Sequence, residues 1–174
     1  MTPFEIRRCL ERAVLLVDTR EQDTAALRKR LEMIGLPYER VKLNAGDYSI
    51  KCTDDNGTEI NFSSRIAIER KMSADELASC YTHGREHFER EFERAKASGT
   101  KMYILCENTS WENIYNGKYR SKFTPAAFTA SILAWSVRYG YQIIFCKSET
   151  APKLIRDILY REAKEYLESG GADG

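Results

Sequence analysis

Apolar positions along the chain recur with two different periods, and the alternation between them predicts the order of the elements. A continuous apolar run from Ala13 to Val17 ends at Asp18 and reads as a buried central strand. Further strands are predicted at Pro37 to Leu43, Asp47 to Lys51, Arg65 to Lys71, Lys101 to Cys106 and Tyr141 to Cys146. Between them the spacing stretches to three and four. Leu27, Leu31 and Ile34 predict a helix over Glu21 to Gly35, closed by Gly35 and Pro37. Phe88, Phe92 and Ala95 predict another over Arg85 to Ser98, and Leu154, Ile158 and Tyr166 a last one over Thr150 to Leu167. Phe4, Ile6 and Leu10 give Phe4 to Arg12 the spacing of a short helix or arm, and Thr109 to Tyr115 reads as a short helix or turn.

Caps and turns refine this outline. Asp18 and Glu21 have the spacing of a capping box for the helix that follows, and so do Ser73 and Glu76, with Asp75 in the first turn, where negative charge is favourable. Asp54-Asp55-Asn56-Gly57 is a turn signal, so Tyr48 to Cys52 and Arg65 to Lys71 are expected to pair antiparallel as an irregular hairpin. Thr124-Pro125 opens a helix through Tyr139 that ends at Gly140. That helix is apolar on two sides: Ala127, Ala130, Ala134 and Val137 are expected to cover the sheet, leaving Phe128, Ile132, Trp135 and Tyr139 for a second copy of the chain or for the last helix. Strands alternating with helices after an antiparallel hairpin imply an α/β mixed sheet with helices on both faces.

Composition narrows the class. A chain of 174 residues is one domain by default, here 13–167, with an N-terminal helix or arm at 1–12 and a disordered tail at 168–174. A net charge of +1 excludes the broad basic field of a nucleic-acid coat, so any DNA contact is local. Five scattered cysteines without CxxC spacing exclude a zinc ribbon and a disulfide framework and point to a reducing, intracellular location, cytoplasmic or nucleoid-associated. No apolar run is long enough to span a membrane, and the first residues are too charged for a signal peptide. His83 and His87 lack an HExxH frame and Gly84 lies between them, which speaks against zinc; no P-loop or kinase signature supports phosphoryl transfer.

The chemistry concentrates between Gly46 and Asp75. Side chains alternate along a strand, so Glu69 and Lys71 share one face and Arg70 takes the other. Pairing of the two strands would bring Asp47 to Glu69. Two carboxylates beside an ammonium suit a hard divalent cation and a phosphate. A second candidate is the loop Gly117 to Phe123, where Lys118, Arg120 and Lys122 interleave with Tyr119 and Phe123, a composition that binds backbone phosphates and stacks on bases.

Gly46-Asp47, then Glu69-Arg70-Lys71 and Asp75, resembles the GD...ERKxxxD signature of the XPF nuclease-domain family, a branch of the PD-(D/E)XK nucleases, and Val17-Asp18-Thr19-Arg20-Glu21 resembles its VDxRE segment. The likeness runs from about Leu15 to Phe145. It implies a restriction-endonuclease-like fold and an endodeoxyribonuclease acting on branched or flapped DNA in repair or recombination. Asp47, Glu69 and Asp18 would hold one or two Mg2+ ions, with Mn2+ able to substitute. Lys71 would stay protonated, orient the attacking water and stabilise charge on the phosphate, while Glu21, Arg70 and Asp75 support the site. Nothing before Gly174 reads as the helix-hairpin-helix pair usual in members that cut branched DNA, so a stand-alone domain is expected. It would work as a homodimer or with a partner protein that supplies DNA binding. The competing reading is a catalytically silent nuclease-like subunit that binds DNA or props up an active partner.

Overall fold

A computed structural model describes residues 1–170, and the last four positions of the expected tail lie outside the described residues. The elements run α1 (Pro3–Glu11), β1 (Val14–Asp18), α2 (Ala25–Ile34), β2 (Tyr38–Val41), β3 (Tyr48–Thr53), β4 (Glu59–Asn61), β5 (Ile66–Lys71), α3 (Ala74–Tyr81), α4 (Arg85–Ala97), β6 (Lys101–Glu107), α5 (Trp111–Tyr115), α6 (Pro125–Tyr139), β7 (Gln142–Cys146) and α7 (Ala151–Glu168). The strands form one mixed sheet in the order β2-β1-β3-β5-β6-β7, with β4 attached to the side of β3. Helices cover both faces, as the alternation of periods requires. Of the two expectations for the N-terminus, helix or arm, the helix forms and is docked: α1 carries a Thr2 and Glu5 capping box and buries Ile6, Cys9 and Leu10. Of the expected tail, Glu168 still belongs to α7.

One face of the sheet, with Leu15, Val17, Tyr48, Ile50, Ile68 and Leu105, packs under α1, α2 and α7. The other, with Ala67, Met102, Ile104 and Cys106, packs under α3, α4, α5 and α6. Successive strand residues feed opposite cores, which fixes the register of each strand.

Three expectations are corrected. The hairpin at Asp54 to Gly57 joins β3 to β4, through Lys51↔Asn61, Cys52↔Ile60 and Thr53↔Glu59, rather than to β5. β5 meets β3 at the single position Tyr48↔Ile68 and then runs parallel to β6. The strand β4 escapes notice because Glu-Ile-Asn is too short and too polar to show a period. Second, the cap of α2 is Thr24, whose hydroxyl accepts from Leu27 N, so Asp18 and Glu21 form no capping box. Third, α6 is turned over: Phe128, Ile132 and Trp135 are fully buried against Tyr81, Phe88 and Phe92, whereas Val137 is 88% exposed and Leu133 48%. The aromatic stripe is the larger apolar surface, and burial selects it over the alanines.

Candidate active site

β1, β3 and β5 deliver the acidic residues to one end of the sheet. Gly46 precedes β3 with φ +73°, a conformation that suits glycine, and its N–H donates to the carboxylate of Glu91 at 2.8 Å. The backbone of Asp47 is then clamped between neighbours: its N–H donates to the Ile68 carbonyl at 2.8 Å and its carbonyl accepts from Asp18 N at 2.9 Å. Its side-chain Oδ2 accepts from Arg70 N at 2.8 Å. Asp47 is half-buried and Glu69 is 5% exposed. Lys71 bonds Glu69 and lies 5.4 Å from the centre of the Phe88 ring.

The charges in this pocket are unbalanced. Burial pushes the Asp47 carboxyl well above its ordinary value, and the charges of Glu69 and Glu21 push the same way. Burial also raises Glu69, opposed by Lys71 and reinforced by Glu91 and Glu21, to about 7. Burial alone would pull Lys71 down, but Glu69, Cys80 and Asp47 outweigh it, so its pKa lies above the ordinary lysine value. Lys71 is therefore an ammonium at any physiological pH, unsuited to act as a base.

Asp18, at the end of β1, is tied to its own neighbours. Its carboxylate accepts from Arg20 N at 2.7 Å, from Arg20 Nε at 2.7 Å, from Arg20 Nη2 at 3.0 Å and from Leu43 N at 2.8 Å. Burial opposes ionisation, but these donors outweigh it and its pKa falls. Four donors occupy its oxygens and tie it to Arg20 and to the loop before Gly46. Glu21 does reach the site. Its carboxylate lies 3.5 Å from the Tyr48 hydroxyl, which accepts from Arg30 Nη1 at 2.8 Å, and it raises both Asp47 and Glu69.

Arg70 points to the opposite face and forms a two-pronged pair with Glu107 at 2.5 and 2.8 Å. Asp75 anchors the basic loop: its Oδ1 accepts from Arg120 N and Ser121 N, both at 2.7 Å. Lys118, Arg120 and Lys122 are exposed. Tyr119 is partly buried: its ring packs edge-on against Phe128 at 5.3 Å and its hydroxyl donates to Phe123 O. Glu91 went unnoticed in the sequence. The available signal was a lone acid on the apolar face of α4, between Phe88 and Phe92.

Among the described residues no three acid, histidine or cysteine side chains gather tightly enough to form a complete metal cage. The donor set nonetheless fits a hard divalent ion: Asp47 and Glu69 offer oxygen alone, and the repulsion that raises their pKa values is what a cation would relieve.

A mixed sheet with an acidic centre and one lysine at its strand ends defines a restriction-endonuclease-like α/β domain. Residues 17–154 match the ERCC4 domain family, and the chain belongs to it. The fold is similar to XPF from Aeropyrum pernix, with a TM-score of 0.58 and 22% identity over 92% of this chain and 64% of that one. XPF from Aeropyrum pernix in complex with DNA gives a TM-score of 0.59 and 20% identity over 93% of this chain and 68% of that one. The chain thus spans about two thirds of the length of these structures. Among curated protein sequences no significant match to the chain is found.

Proposed function

We propose that the protein is a metal-dependent DNA endonuclease that hydrolyses phosphodiester bonds, acting on branched or flapped DNA in repair or recombination. The observation that carries this reading is the convergence of Asp47, Glu69 and the ammonium of Lys71 at one end of the sheet, within an ERCC4 family domain. That a structural relative is an XPF in complex with DNA supports DNA as the ligand. Asp47 and Glu69 would hold Mg2+, or Mn2+ in its place, and the ion would activate water and neutralise phosphate charge. Lys71 holds its proton, orients the attacking water and stabilises negative charge as it grows on the phosphate. Glu21, braced by Arg30 and Tyr48, adds to the field that draws a cation in. Glu91 holds Gly46 and so sets the position of Asp47. Arg70 and Asp75 act at one remove, the first by fixing the end of β6, the second by holding the shape of the basic loop with Lys118, Arg120 and Lys122.

The test is a panel of end-labelled flap, fork, four-way, single-stranded and duplex DNA in Mg2+ or Mn2+. Branched substrates should be cut, and Asp47→Asn or Glu69→Gln should lower the rate by on the order of a thousandfold. Cutting in EDTA, or near wild-type cutting by either variant, would sink the reading. An intact fold that binds DNA and cuts none of it would leave the silent subunit in its place.

The same reading includes a homodimer, through the outward face of α6 rather than the stripe first expected to pair, since Phe128, Ile132 and Trp135 of that stripe are buried within the chain against α3 and α4. Ala127, Ala130, Leu133, Ala134 and Val137 make an exposed apolar stripe there. Pairing along it would place two basic loops on one DNA and raise affinity through effective concentration. Sedimentation at micromolar concentration should show a dimer that Leu133→Glu with Val137→Glu converts to a folded monomer. A monomeric wild type would shift the second grip on DNA to a partner protein.

A further inference from the structure

Cations in this chain are mostly neutralised by a neighbouring carboxylate: Arg8 and Arg12 by Asp55, Lys51 by Glu39 and Glu59, Arg70 by Glu107, Lys101 by Glu162. One cleft departs from this pattern. It encloses about 590 Å³ and is lined by Arg20, Lys42, Leu43, Asn44, His87 and Arg94; Arg20 is paired from behind by the buried carboxylate of Asp18, and no acidic side chain stands among the lining residues. Among the described residues Lys42 and Arg94 pair with no carboxylate.

The cleft is also built rather than incidental. Its floor, Lys42 to Asn44, is braced from two directions. Asp18 accepts from Leu43 N while Arg20 Nη2 donates to Leu43 O at 3.4 Å, and from α4 Arg94 Nε donates to Asn44 O at 3.2 Å. One turn before Arg94, Glu91 holds Gly46 N. A single stretch of backbone, 42–47, therefore links the basic cleft to Asp47. In sheet order the cleft lies on the β1 and β3 side of the carboxylates, and the loop of Lys118, Arg120 and Lys122 follows β6 on the other side. A concave wall in which Lys42 and Arg94 have no carboxylate partner suits an anionic chain whose charges repeat, and the guanidiniums of Arg20, held by Asp18, and Arg94, held by Asn44 O, lose little freedom on gripping it.

We propose that this cleft is a binding site for the sugar-phosphate backbone of a DNA strand, and that it feeds the strand to Asp47 and Glu69 from the side opposite the Lys118 to Lys122 loop. The identity of the ligand as DNA rests on the function proposed above. The decisive experiment is binding rather than cleavage: fluorescence anisotropy of a labelled 20-nucleotide single strand and the matching duplex, in EDTA, over a salt series. Lys42→Glu with Arg94→Glu should raise Kd by on the order of tenfold or more and reduce the slope of log affinity against log salt by about 2. Lys42→Ala with His87→Ala, which removes no bond that braces the backbone, should show a smaller loss in the same direction and covers the case in which the charge reversals fail to fold. Unchanged affinity and slope in folded variants would overturn the cleft as a strand site, as would a wild type that binds neither probe. The two readings separate cleanly. A wild type that binds through the cleft but cuts nothing in Mg2+ or Mn2+ overturns the nuclease reading alone, and one that cuts while the cleft variants bind normally overturns the cleft alone.

Discussion

A methyl group on Gly46 would lie 2.9 Å from the Cβ of Ala67 and 3.0 Å from the carbonyl oxygen of Ile68. Those atoms belong to β5, which carries Glu69, so the clash cannot be relieved without moving the site. Gly46→Ala should cost about 3 kcal/mol in denaturant unfolding, combining the left-handed backbone with overpacking, and should lower cleavage even at temperatures where the variant stays folded. On the proposed mechanism, in which the ammonium would act on the transition state and repel the cation, Lys71→Ala should reduce turnover about a hundredfold or more with metal affinity unchanged or tighter. Metal titration of the variant followed by single-turnover rates separates the two quantities, and a parallel loss of both would make Lys71 a structural residue. Glu91 offers a finer probe. Gln in its place still accepts from Gly46 N but no longer pushes Glu69 up, so the acid limb of the pH-rate profile should move to lower pH. Glu91→Ala strands the buried amide and should cost about 1–3 kcal/mol.

At the scale of elements, what was legible followed apolar content. The central strands β1, β5 and β6 and the helices α2, α4, α6 and α7 appear where their periods place them, because each buries a continuous side against a core. β4 did not, since three residues of mixed polarity carry no period. The orientation of α6 was misread because both of its faces are apolar, and only the volume of the aromatic partners on α3 and α4 decides which one turns inward. At the site, strand alternation correctly separates Glu69 and Lys71 from Arg70. Contacts between residues far apart in sequence were invisible: Arg70 with Glu107, Glu91 with Gly46, Asp75 with the loop at 120–121. The last of these predicts a local effect. Asp75→Ala should leave the melting temperature within a few degrees of wild type, since the bonds it loses are exposed or half-buried, while trypsin should cut after Lys118, Arg120 and Lys122 several times faster. Unaltered proteolysis would mean that the loop keeps its shape without Asp75.

For the whole molecule, the acidic centre links stability, pH and metal. A Glu69 carboxyl that keeps its proton to about pH 7 in the fold, but ionises near 4.5 when unfolded, makes the folded state bind the extra proton between those limits. Its contribution to stability is fully present below that window and is lost as pH rises through 7. A cation reverses the sign by favouring the ionised pair. Saturating Mn2+ should therefore raise the melting temperature by roughly 5–10 °C at pH 8 and by little at pH 5.5, and an equal shift at both would place the ion elsewhere. The same pair of residues also spans the narrowest seam of the sheet. β3 and β5 are partnered at Tyr48↔Ile68 alone, and the halves on either side, β2-β1-β3-β4 and β5-β6-β7, are each tied by longer ladders. Two plates joined at a short weld open there first. The amides of Asp47 and Arg70, which close that seam, should exchange with deuterium ahead of those in the β5 and β6 ladder. An ion held between Asp47 and Glu69 would rivet the plates together, so that catalysis and the cohesion of the fold share one fastener.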